Sequence, residues 1–171
     1  MSKMRSRAKA AEIPIVGDVD DWEAEVIKTL LEVPSGGECT FYIDSAGGSV
    51  YGALAVLTLL RHRRLKATAI VLGECSSAAL LLFAGCRRRL VTPYSTLLFH
   101  RMRWQSEKRV GSDEAFLWAK HFEDMEKELD TLQAKLFGSA EDKVRTWTQG
   151  SHYVTGAQLV AAGLAEMLDM A

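Results

Sequence analysis

The stretch GECSSAALLLFAG, residues 73–85, sets two hydroxyls, Ser76 and Ser77, at the entrance of a run too apolar for a protein surface. The segment before it, KATAIVL at 66–72, is rich in β-branched residues and reads as a buried strand. A strand that turns into a buried helix is half of a βαβ unit, and the same alternation repeats outward. CTFYID at 39–44 reads as a strand and SAGG at 45–48 as a tight connection, after which Val50, Leu54, Leu57 and Leu60 mark a helix. Upstream, IPIVG at 13–17 reads as a short strand, and residues 18–21 offer a cap and acidic first-turn residues. The helix they open carries Trp22, Val26, Ile27, Leu30 and Leu31 at helical spacing until PSGG at 34–37 stops it. The GECSSAALLLFAG stretch supplies a third helix of about three turns. Strand, helix, strand, helix predicts an α/β fold with a mostly parallel sheet and helices packed on it.

Beyond residue 85 the signals change. Leu90-Val91 and TLLF at 96–99 read as short strands around the turn TPYS, and a long helix is predicted over about 112–137. Its apolar residues Trp118, Phe122, Met125, Leu129, Leu132 and Leu136 are spaced 4, 3, 4, 3, 4, an a/d seam that packs on the chain's own body or faces another subunit. TGAQ at 155–158 has the form of a capping box, opening a short helix that Gly163 closes. Residues 1–10, MSKMRSRAKA, read as a flexible basic tail, and 11–171 as a single domain with a substantial core.

Apolar residues make up 48% of the chain and charged ones 25%, with a formal net charge of −1, the composition of an ordinary soluble globular protein. Neither nucleic acid nor a membrane is expected as partner. The basic groups at 61–66 and 87–89 lack interleaved aromatics, so they read as solvated loops or subunit contacts. Cys39, Cys75 and Cys86 are odd in number and form no CxxC or Cys/His pattern, which points to reduced thiols and to no metal site or cofactor. The N-terminus has no apolar core for a signal peptide, and no run reaches the roughly 18 residues of a membrane span. A cytoplasmic location is expected.

Two readings of Ser77 stand side by side. Serine is a preferred helix N-cap. A serine where a strand turns into a buried helix also exposes its hydroxyl at the carboxyl edge of a sheet, beside helix amides that favour a developing oxyanion. As a nucleophile it needs a base. His62 lies in a basic cluster, His121 on a charged helix face, and His152 in a polar loop after a glycine; His100 differs, ending the apolar strand TLLF. The pair Gly47-Gly48 is a turn, or a backbone that approaches a substrate closely.

Taken in order, FYIDSAGGSVYGALAVLTLL, GECSSAALLLFAG, VTPYSTLLFH, a long helix and YVTGAQLVAAGLAEML resemble ClpP, the proteolytic subunit of Clp protease, over about 12–168. The family's pattern is close to YINSPGGSV, GQAASMGAFLLTAG, LPNSRVMIHQP and FLSAxEAxxYGLID. The resemblance implies a ClpP/crotonase-like stack of ββα units with a protruding handle helix at about 112–137, by which two stacked seven-membered rings interlock. It also implies that Ser77 is the catalytic serine, His100 the general base, and the amides of Gly48 and Ala78 the oxyanion hole.

The family's catalytic aspartate falls on Ser151, with Glu74, Glu141 and Asp142 as carboxylates elsewhere in the chain. In the serine protease triad, an aspartate made neutral with the wrong hydrogen-bonding sense costs about 10⁴ in turnover. A serine hydroxyl still accepts from the imidazole N–H, so the tautomer survives while the charge does not. Ala46 replaces the family's proline, and Arg101-Met102 its Gln-Pro, which alters the substrate groove. Only about ten residues precede the first strand, which argues against docking to the ATP-driven (AAA+) unfoldase that the family serves.

The expected function is a serine endopeptidase subunit, working on peptides or unfolded proteins inside a homo-oligomeric ring chamber. Two alternatives are a weak or inactive ClpP-like subunit that assembles with a partner or active paralogue, and a crotonase-type acyl-CoA enzyme.

Overall fold

A computed structural model describes residues 10–105, 109–138 and 141–170, so the basic tail lies almost entirely outside the described residues. The chain opens with β1 (Ala11–Asp18), α1 (Val19–Glu32), β2 (Glu38–Gly47), α2 (Val50–His62), β3 (Lys66–Cys75) and α3 (Ala79–Gly85). It continues with β4 (Arg88–Val91), β5 (Thr96–Phe99), α4 (Ser112–Phe137), α5 (Glu141–Gly150), β6 (His152–Thr155), α6 (Gly156–Ala161) and β7 (Glu166–Met167). Strands β1-β2-β3-β4-β7 form a parallel sheet in that order. This is the α/β fold expected from the alternation.

Strand β3 is the hinge of the architecture. Its first half, Thr68 to Ile70, pairs with β4, while Glu74 near its end pairs with Thr96 of β5, and β5 pairs antiparallel with β6. A long strand shared by two partners opens a second small sheet at the carboxyl ends of the first. Register shifts between Val16 and Asp18 of β1 and between Ile43 and Ser45 of β2 lie at the same level, where bulges bend the strands.

Local chemistry explains several boundaries. Asp18 caps α1 in a capping box with Asp21, and Thr155 caps α6 in the box expected with Gln158. The long helix α4 spans 112–137 as its spacing predicts.

Four expectations are corrected. The SAGG connection is shorter than read, because β2 runs on to Gly47; β3 likewise runs on through Gly73, Glu74 and Cys75. Helix α3 has only 7 residues, about two turns. His152 lies in β6 rather than a polar loop, and a helix, α5, precedes it. That helix was hidden by its polar composition, with only Val144 and Thr148 buried.

The core joins both faces. Phe41, Phe83, Phe99, Leu80 and Leu82 are fully buried, and α3 packs among β2, β3, α2 and α4. The α4 seam divides: Leu129, Leu132 and Leu136 pack on the body, while Trp118 and Phe122 meet Trp104 at ring-centroid distances of 5.6 and 5.3 Å. Phe116 and Leu117 beside them are 72% and 66% exposed. No helix among the described residues is long and apolar enough to cross a membrane.

The arginines of the basic groups fasten the chain. Arg63 donates to the carbonyls of Leu31 (3.2 Å) and Val33 (2.6 Å), and Arg88 pairs with Glu166 at 2.8 Å. Arg89 donates to the carbonyls of Leu164 (2.7 Å), Ala84 (3.2 Å) and Leu136 (3.4 Å) and lies over the Phe137 ring. Arg89→Met keeps the aliphatic stem but strands these half-buried carbonyls. It is expected to lower stability by about 2–4 kcal/mol in urea unfolding.

Candidate active site

Ser77 sits between β3 and α3 with φ of 55°. A non-glycine residue held in this left-handed region costs on the order of 1–3 kcal/mol, and persists only where its surroundings dictate it. Here the Ser76 N–H donates to the Ser45 carbonyl (2.9 Å) and the Ser77 N–H to the Leu98 carbonyl (3.0 Å). Ser76 Oγ accepts from the Leu98 N–H at 3.2 Å. The turn is thereby tied to β2 on one side and β5 on the other.

Gly47, with φ of 105°, closes the turn from a third side. A Cβ there would lie 2.6 Å from Ser77 Cβ, 2.8 Å from the Ser76 carbonyl oxygen and 3.0 Å from the Ala78 amide nitrogen. Only a glycine lets β2 press on the serine and leaves space before the Ala78 amide. Gly48, with φ of 125°, faces the Asp18 carboxylate in the same way.

The reading of Ser77 as a side-chain cap is corrected by this geometry. Ala78 is the N-cap of α3, without a side-chain cap bond, and the first amides are taken by carbonyls: Ala79 N–H by Ser76 (3.1 Å) and Leu80 N–H by Ser77 (3.0 Å). Capping therefore does not consume the Ser77 hydroxyl.

His100, half-buried just past β5, lines a narrow pocket together with Ser77 and Ala78. Its Nδ1 lies 2.6 Å from the Arg101 carbonyl oxygen. A carbonyl only accepts, so in the neutral ring this contact places the proton on Nδ1 and the lone pair that a general base uses on Nε2. The other histidines lie elsewhere: His121 Nε2 is 2.9 Å from Tyr51 Oη, and His62 lies beside Ile27, Leu31 and Leu59.

Ser151, with φ of 51°, immediately precedes β6. The antiparallel ladder ends with Phe99 paired to His152, so His100 and Ser151 both lie just beyond its last rung. Of the carboxylates named from sequence, Glu141 pairs with Arg145 at 2.8 Å, and neither Glu74, Glu141 nor Asp142 lines the pocket. Two others do.

Glu126 and Asp130 of α4 face the pocket, with Leu129 and Gln133 from the same helix. Sequence reasoning missed them because the seam drew attention to the apolar positions alone; yet 126, 130 and 133 flank Leu129 at spacings of a single face. Burial pushes the Asp130 carboxyl above the ordinary carboxylate range, against the opposing pull of Arg101 and Arg145.

The thiols are no rivals to Ser77. Burial pushes Cys39 up to about 11 and raises Cys75 and Cys86 as well, so none is a thiolate near neutrality. Among the described residues no group of three or more His, Cys, Asp or Glu could hold a metal ion.

A parallel α/β sheet with a strained serine at the carboxyl end of a central strand, sharing a pocket with a histidine, is an arrangement suited to acyl transfer. The Clp protease family model matches residues 2–169. Similar proteins include the "ATP-dependent Clp protease proteolytic subunit" of Bacteroides fragilis, 26% identical over 86% of this chain and 73% of that protein. The proteins named "ATP-dependent Clp protease proteolytic subunit 1" of Corynebacterium glutamicum and Corynebacterium diphtheriae are 29% and 30% identical, each over 88% of this chain and 74% of theirs. The chain belongs to the Clp protease family.

Two outcomes follow from the geometry. Gly47→Ala places a Cβ against backbone at a left-handed position, so it is expected to cost about 2–4 kcal/mol in urea unfolding and to expel Ser77 from its turn. Asp130→Asn is expected to act in the opposite direction. A carboxyl whose folded-state pKa is raised favours folding when protonated, so the parent loses stability as pH rises through that range. The variant should have the higher Tm at about pH 7, with the gap closing below roughly pH 4, the ordinary aspartate range. Glu126, Arg101, Arg145 and His100 surround the group, and a Glu126→Gln background separates the titration of the neighbouring acid.

Proposed function

We propose that this chain is a serine endopeptidase subunit that cleaves peptide bonds of unfolded chains within a ring of its own copies. The observation that carries the reading is the shared pocket of Ser77 and His100, with Ser77 held in a strained turn and its hydroxyl free of capping. Ser77 Oγ attacks the peptide carbonyl as His100 Nε2 takes its proton, and the tetrahedral oxyanion is received by the amides of Gly48 and Ala78. His100 then gives the proton to the leaving amine, and water repeats the cycle to free the acyl group. The Arg101 carbonyl orients the imidazole where family members use an aspartate, and Ser151, like His100, lies just beyond the last β5–β6 rung. No cofactor enters.

Assembly rests on the exposed apolar residues of α4, Phe116 and Leu117, which gain from burial against a second copy's α4. Three buried free thiols suit the reducing cytoplasm.

One specific observation favours a second reading. His100 Nδ1 meets a neutral carbonyl rather than a carboxylate, which fits a weak or silent subunit kept for assembly. Fluorophosphonate labelling of the protein, read by intact mass beside Ser77→Ala and His100→Ala, separates the two. Stoichiometric labelling of the parent, abolished in Ser77→Ala and slowed at least about 10²-fold in His100→Ala, is the expected result. An assembled protein that takes no label is the silent subunit.

A further inference from the structure

We propose that the pocket beside Ser77 is a subsite for a cationic side chain, lysine or arginine, on the acyl side of the scissile bond, with Asp130 and Glu126 of α4 as its anionic wall. The inference rests on the reading of Ser77 as nucleophile and adds the substrate class. Glu126, Leu129, Asp130 and Gln133 recur at i, i+3, i+4 and i+7, so one face of α4 is turned to the cleft. Across it stand Val50, Leu81 and Met102. Hydrocarbon walls with two carboxylates suit a long alkyl chain that ends in a cation. A leucine or phenylalanine would bury the carboxylates without a partner, and an acidic side chain would be repelled.

Among the described residues, the charges already present do not satisfy the pocket. Arg101 reaches Glu126 only at 3.8 Å, the outer limit of an ion pair, and its side chain is 52% exposed. Arg145 is held by Glu141 at 2.8 Å. Among the described residues, two carboxylates thus face one loosely held guanidinium. The Asp130 carboxyl shows the shortfall, since desolvation outweighs the pull of both arginines on it. Gln133, only 8% exposed, accepts from Thr148 Oγ1 at 3.5 Å and fixes the base of the helix face.

The test uses the full, assembled chain and peptidyl diphenyl phosphonates whose side chain next to phosphorus mimics lysine, leucine or glutamate. In each reaction a Ser77 Oγ–P bond forms as the bond from phosphorus to a phenoxide oxygen breaks, and the hydroxyl proton passes to His100. Intact mass gives the rate. The lysine-type probe is expected to react at least about tenfold faster than the leucine type, and the glutamate type slowest. Asp130→Asn should bring the lysine-to-leucine ratio to within about threefold, Glu126→Gln should lower it in part, and Glu128→Gln, on the exposed face of α4, should leave it unchanged.

A leucine-type probe that reacts as fast as the lysine type overturns the proposal. So does an Asp130→Asn variant that slows all probes equally, because Asp130 would then act on the Ser77–His100 pair and not on the side chain. If neither these probes nor a fluorophosphonate label the protein, the peptidase reading fails and the subsite is decided by binding. Tighter binding by Ser77→Ala of peptides ending in arginine than in leucine, lost on adding Asp130→Asn, would sustain the cation site alone; equal binding would overturn it.

Discussion

The pressure of Gly47 on the Ser77 turn is the contact on which the rest of the site depends. Strand β2 reaches it because Ser45 is anchored: its Oγ donates to the Gly17 carbonyl at 2.6 Å and accepts from the Gly47 N–H at 3.2 Å. Strand β5 holds the other side through Leu98, and β6 holds β5. Strands β2 and β5 therefore close on the one residue that follows β3, whose left-handed backbone no strand would adopt alone. The bulges of β1 and β2 at this level bend the sheet's carboxyl ends around the serine. The strain, on the order of 1–3 kcal/mol, is borne by a network to which both the main sheet and the second small sheet contribute.

Such a network is only partly visible in a sequence. Helix α4 was legible to the residue because six apolar side chains kept a strict spacing, and the Thr155–Gln158 box because capping is a local affair. The outward alternation gave the parallel sheet for the same reason. What failed was set by partners distant in sequence. Gly47 belongs to a strand because Asp18 of β1 pairs with it and Cys75 of β3 with Ser45, although two adjacent glycines read as a turn. Ser77 looked like a cap because serine before an apolar helix usually is one; its positive φ comes from Leu98 and Ser45, residues far from it along the chain. The pocket acids were on view in the helix pattern, but only the fold says which face of α4 meets Ser77.

The proposed catalytic pair tests what an aspartate contributes to a serine hydrolase. Its two tasks are to hold the imidazole tautomer and to stabilise the imidazolium. An amide carbonyl 2.6 Å from Nδ1 performs the first task fully, because it cannot donate. It performs the second in part, since a carbonyl dipole supplies a hydrogen bond to the cation without the net charge that roughly doubles its strength. The loss of about 10⁴ in the triad arose where the tautomer was also wrong. A carbonyl that enforces the right tautomer should therefore cost less than that, which supports the proposed role of the Ser77–His100 pair in forming an acyl-enzyme.

Asp130 links stability to the choice of substrate. As a desolvated carboxylate it works against the folded state at neutral pH, and neither Arg101 nor Arg145 offsets this. A neutral residue at the same helix position would fold better, so stability alone gives no reason for the acid. A cation entering the pocket changes the balance, because it restores the electrostatic partner that burial removed. The free energy recovered then appears as selectivity, available to lysine or arginine and to no apolar side chain of similar length. On the same helix, Phe116 and Leu117 are exposed towards the other end, where the proposed contact with a second copy falls. Seating that end fixes α4, and a fixed α4 holds Glu126 and Asp130 at the mouth of the site, so substrate choice and assembly would be coupled through one rigid element.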